Sequence, residues 1–85
     1  MVAKILFTKG APAYSDIERF QEKLGKFQVE TELIEADSKD GIRLTELYDA
    51  MDRPAVLLIR EGGGLVQKWQ GTLPTVEEVS YLAHI

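Results

Sequence analysis

The chain has 85 residues, 45% hydrophobic and 28% charged, which excludes disorder and leads us to expect one domain spanning residues 1–85. Its net charge of −4 disfavours a phosphate-backbone partner, and its lack of cysteine excludes disulfide staples, zinc–thiolate sites and thiol catalysis by this chain. No apolar run reaches about 18 residues and no signal-peptide pattern is present, so neither nucleic acid nor membrane is an expected partner and a cytoplasmic location is the default.

Lys4 to Thr8 reads as a short apolar strand that runs into a tight turn at Gly10-Ala11-Pro12. The turn opens a helix over residues 16–26, with Ser15 as its N-cap and Glu18 as the capping-box partner. A strand that feeds the positive end of a helix dipole through such a turn is where α/β proteins often bind an anion or place a reactive group. Ile17, Phe20, Leu24 and Phe27 form the inward stripe of this helix, and Gly25 suits its end.

Val29, Thr31 and Leu33 alternate with Glu30 and Glu32, the period of a half-buried edge strand. Residues 37–41 are a polar loop with capping residues. A second helix over residues 42–51 turns Leu44, Leu47, Tyr48 and Met51 inward and stops at Asp52-Arg53-Pro54. Residues 55–59, Ala-Val-Leu-Leu-Ile, are continuously apolar, as in a strand covered on both faces. Glycines 62–64 make a hairpin turn. The returning strand, residues 65–70, sets Leu65, Gln67 and Trp69 on one face and Val66 and Lys68 on the other. Thr75 and Glu78 form a second capping box before a last helix with Val76, Val79, Leu82 and Ala83 inward.

The element order is β-α-β-α-β-β-α. We expect an α/β fold with a mixed four-stranded sheet in the order 2-1-3-4, the last strand antiparallel, and helices on both faces. Each strand-helix-strand connection is expected to be right-handed.

Three features stand in a telling order along this frame. Phe7-Thr8-Lys9-Gly10-Ala11-Pro12-Ala13-Tyr14 lies at the first strand-to-helix junction. Arg53-Pro54-Ala55 precedes the apolar strand, and Gly71 falls between the hairpin and the capped last helix. Together they resemble the thioredoxin/glutaredoxin family over essentially the whole chain. The first run is similar to the glutaredoxin active-site segment, strand–Thr/Ser–Lys–…–Cys-Pro-Tyr-Cys. The second is similar to the family's cis-proline segment, and Gly71 matches the small residue that closes the groove.

The departure lies in the chemistry. On this alignment the cysteine positions fall at Ala11 and Tyr14, where a methyl group and a phenol supply neither a low-pKa thiolate nor a resolving thiol. Ile5 stands where many thioredoxins carry a buried acid. The chain as written cannot exchange disulfides, and no enzymatic activity is read from it.

What the resemblance implies is a binding groove formed by Lys9, Gly10, Ala11, Pro12, Ala13, Tyr14, Arg53, Pro54, Gly71 and Thr72. A peptide or protein partner would pair there in strand fashion with the Arg53 backbone, beside a cis Pro54. Lys9 matches a glutaredoxin lysine that contacts a glutathione carboxylate, so glutathione is the one cofactor with an implied place. With Arg53, Lys9 would make a small positive rim. Tyr14 stands where a hydroxyl activates a bound thiol in glutathione transferases. Each has a plainer reading: a solvated lysine, a tyrosine packed on the groove, Ser15 engaged as a cap, a proline that stops a helix.

Two other readings stay open. The chain is a cysteine-substituted form of an oxidoreductase, with Ala11 or Ala13 in place of the nucleophile, or it is a dimerisation module. Glu30 and Glu32 on the edge discourage strand pairing between copies, and a monomer or weak dimer is expected. Trp69 and Tyr48 read as sheet-face aromatics. His84 is expected to fray and lacks metal or catalytic partners. Glu30, Glu32, Glu35, Asp37, Glu77 and Glu78 read as solvated faces and caps, and no metal-ligand spacing is present.

Overall fold

The computed structural model describes residues 1–10 and 14–85. Its elements run β1 (Val2–Phe7), α1 (Tyr14–Lys26), β2 (Glu30–Glu35), α2 (Lys39–Tyr48), β3 (Ala55–Ile59), β4 (Leu65–Gln70) and α3 (Val76–His84). The strands form one sheet in the order β2-β1-β3-β4.

The sheet has a single parallel pair, β1 with β2; β1–β3 and β3–β4 are antiparallel. The hairpin is therefore antiparallel as expected, but β3 also opposes β1. Only the connection through α1 is a parallel crossover, which corrects the expectation of two. The α2 connection enters β3 from the end of the sheet where β2 finishes, so the chain has no need to cross back.

Side-chain alternation divides the interior into two layers. Ala3 and Ile5 of β1 and Val56 and Leu58 of β3 pack with Ile17, Phe20 and Leu24 of α1 and Val79 of α3. On the other face Leu6, Ala55, Leu57 and Ile59 pack with Leu44 of α2 and with Ala50. All five residues of β3 are buried, as its unbroken apolar run predicts.

The helix ends differ from expectation in ways that trace to backbone chemistry. α1 begins at Tyr14, so Ser15 is an exposed residue inside its first turn and not the N-cap. Its far end is closed by Gln28 at φ 61°, where Val29 N–H donates to Leu24 O (3.0 Å) and Gln28 N–H to Gly25 O (3.0 Å). This is a Schellman closure with Gln in the left-handed position, and Gly25 stays within the helix. Phe27 falls past the last turn and is exposed.

α2 starts three residues earlier than expected because Ser38 caps it, accepting from Gly41 N–H at 3.0 Å. It stops at Asp49 (φ 53°), ahead of Pro54. Its inward stripe is Gly41, Leu44, Thr45 and Tyr48, while Leu47 and Met51 are exposed at 66% and 67%. Gly41 is required by proximity. A Cβ there would overlap the Glu35 carbonyl oxygen and lie 2.8 Å from that of Ala36.

A register shift between Leu58 and Ile59 leaves Val66 as an extra residue in β4. Val66 and Trp69 consequently pack against the same layer, not on opposite faces. Thr75 caps α3 through Glu78 N–H (3.1 Å), but the Glu78 carboxylate accepts from Trp69 Nε1 (3.1 Å) instead of completing the capping box. His84 is helical and its Nε2 lies 2.8 Å from Phe27 O, tying α3 to the end of α1.

Candidate functional site

The strand register gathers four chain segments at one end of the sheet. Phe7 pairs with Glu35, Leu6 with Ala55, and Ala55 with Gln70. The residues after β1, after β2, before β3 and after β4 therefore emerge together, and α1 starts there. In an α/β sheet the crevice forms where strand ends diverge in this way.

On the β1–β2 side of that end is an open hollow of about 250 Å³ lined by Phe7, Lys9, Gly10, Tyr14 and Glu35. Its aromatic wall is the pair Phe7–Tyr14, with ring centroids 5.1 Å apart and planes tilted by 51°, a favourable offset for two quadrupoles. Tyr14 is half-buried, with its ring set against Phe7. Lys9 is exposed and Glu35 half-buried, and among the described residues neither enters an ion pair. Gly10 takes φ 81°, a conformation that disfavours a side chain. The backbone below is fixed by Ala36 N–H donating to Phe7 O at 2.8 Å.

On the β3–β4 side, the Arg53–Pro54 peptide is cis. Gly71 N–H donates to Pro54 O (3.0 Å) and Asp52 N–H to Gln70 Oε1 (3.2 Å), which holds this loop on the end of β4. Gly71 has φ 91°, and Thr72 beside it is exposed.

The Arg53 guanidinium turns away from this rim. Nη2 donates to Thr45 Oγ1 at 2.7 Å, Nη1 to Ala50 O and, at 3.4 Å, to Asp52 O. Thr45 Oγ1 in turn donates to Gly41 O at 2.7 Å. The arginine is thus a clamp on the carbonyl end of α2, where a cation also suits the helix dipole, and both of its terminal nitrogens are engaged there. Lys68 acts similarly, with Nζ donating to Tyr48 O (3.0 Å) and Asp49 O (2.9 Å).

Of the residues singled out in the sequence, Lys9, Gly10 and Tyr14 line one hollow, while Pro54 and Gly71 meet beside it. Ala11, Pro12 and Ala13 lie outside the described residues. The hollow sits on the β2 side of the turn, where Phe7 and Glu35 complete it. Sequence reasoning treated Glu35 as a solvated acid. The available signal was the parallel β1–α1–β2 unit itself, which makes the last residues of its two strands neighbours.

No protein-family model and no curated protein matches the sequence. Among solved structures, the chain is similar to thioredoxin 1 from the thermophilic eubacterium Thermosipho africanus TCF52B. The TM-score is 0.70 at 12% identity, covering 96% of this chain and 89% of that one. The fold is thioredoxin-like. A structure described as that of a malarial protein aligns with a TM-score of 0.65 at 13% identity, over 95% of this chain and 90% of the other. The thioredoxin-like fold comes here in a sequence without cysteine. No helix among the described residues is long and apolar enough to cross a membrane.

Proposed function

We propose that the chain is a redox-inactive thioredoxin-like domain that binds an extended peptide or a partner protein at this end of the sheet. The contacts would come from Lys9, Gly10, Tyr14, Pro54, Gly71 and Thr72, the Arg53 backbone, and Ala11, Pro12 and Ala13. The observation that carries the reading is the aromatic-walled hollow of Phe7 and Tyr14 on a fold whose usual reactive group, a cysteine thiol, the sequence does not contain. An open hollow with one cation, one carboxylate and an aromatic wall suits side-chain docking and offers no thiol.

The test is an NMR titration of the labelled protein with reduced peptides and, separately, with glutathione. Amide shifts centred on Phe7, Lys9, Gly10, Tyr14 and Gly71 are expected, and Tyr14→Ala should weaken peptide binding several-fold while α1 stays folded. Shifts that map elsewhere, or nowhere, defeat the reading. The cysteine-substituted oxidoreductase is a separate matter that codons 11 to 14 of the encoding gene decide.

A further inference from the structure

β2 is an edge strand: among the described residues it pairs with β1 and with no other strand. A second hollow, about 410 Å³, lies along it, lined on one side by Gln21 of α1 and on the other by Asp40 and Arg43 of α2, with Thr31, Glu32 and Leu33 between. A helix thus stands on each flank of a row of backbone groups that no strand occupies. Such an edge is a template for another extended chain.

The side chains say which chain fits. Leu33 packs in the α1–α3 layer and Ile34 in the α2 layer, so alternation sets Thr31, Leu33 and Glu35 toward α1 and Glu30, Glu32 and Ile34 toward α2. The cations lining the groove are already matched, Lys4 with Glu32 at 3.8 Å and Arg43 with Asp40 at 3.4 Å. Among the described residues Glu30 and Glu35 have no ion pair. The edge is therefore left with net negative charge, on a chain that is itself −4. Two copies meeting β2 to β2 would set glutamates against glutamates, which is destabilising.

We infer that the free edge of β2 receives an extended, basic segment of a partner protein by strand addition, on a surface that shares only Glu35 with the hollow at the sheet end. In an antiparallel ladder the segment places Lys or Arg opposite Glu30, Glu32 and Glu35. It places apolar residues opposite Leu33 and Ile34 and a β-former opposite Thr31, which reads Lys-Val-Val-Lys-Thr-Lys.

That acetylated, amidated hexapeptide is the probe, titrated into the labelled full chain at low salt. Amide shifts should concentrate at residues 30–35. The double substitution Glu30→Lys and Glu32→Lys should weaken binding about tenfold or more and create affinity for the peptide with Glu in place of Lys. Unchanged shifts in β3 verify that this variant is folded. Two N-methylated probes, modified on alternate residues in opposite phase, separate pairing from charge attraction. One phase should abolish binding and the other keep it. Equal behaviour of the two phases, shifts at Tyr14 and Gly71 instead, or none at all would overturn the proposal.

Discussion

Arg53 shows how a residue's role depends on what its side chain reaches. Its position before Pro54 suggested a charge offered to a ligand, yet its guanidinium is engaged by Thr45 Oγ1 and the carbonyls of Ala50 and Asp52. Arg53→Ala should lower stability by about 2 kcal/mol, the order expected for hydrogen bonds to a charged group, measured by urea denaturation. Arg53→Lys should recover little of it, because an ammonium cannot reproduce the planar fork. If Arg53→Ala instead left stability unchanged and weakened binding of an acidic peptide, the clamp would be wrong. Gly41 is the second residue fixed by its surroundings. Gly41→Ala forces a methyl group into the Glu35 and Ala36 carbonyls and should cost roughly 1–3 kcal/mol on the same measurement. A stability equal to wild type would mean that the β2–α2 junction yields freely.

Among the elements, the helix ends were the least legible part of the sequence. A left-handed terminating residue is usually glycine, and here Gln28 and Asp49 take that position at φ 61° and 53°. Gln28→Gly should therefore stabilise the protein by about 0.5–1 kcal/mol, since relief of the left-handed penalty of about 1–2 kcal/mol exceeds the added unfolded-chain entropy. Asp49→Gly should gain less, because Asp visits this region more readily. A loss of stability in Gln28→Gly would show that the Gln side chain contributes more than its backbone costs. On the starting side only Thr75 was legible as a cap, since Ser15 lies inside α1 and Ser38 read as part of a polar loop. Ser38 and Thr75 each accept from the amide three residues on, and Thr75→Ala should cost about 1 kcal/mol. The reciprocal half of the second capping box was not legible, since Glu78 meets Trp69 across tertiary space. The bulge in β4 was hidden for a similar reason: an inserted residue leaves no mark on composition, and it reverses the face of Val66.

At the scale of the whole molecule, β3 is the shared wall of two layers. Leu57 faces α2 and Leu58 faces α1 and α3, and both are fully buried. Replacing either by Ala should cost about 2–5 kcal/mol, with one cooperative unfolding transition in each variant. Separate transitions for the α2 layer and the α1–α3 layer would contradict a single core organised on β3. The sheet order could be read in advance from hydrophobic pattern and the glycine hairpin, because an all-apolar strand is central, an alternating acidic one lies at an edge, and the hairpin seats β4 beside β3. The absence of cysteine likewise settled, without any structure, that this chain holds no thiol to exchange. The direction of β3 against β1, the meeting of Phe7, Tyr14 and Glu35 around one hollow, and the engagement of Arg53 were decided only in three dimensions. Periodicity reports which face of an element is buried. It carries no information about which distant side chain or carbonyl will be waiting there.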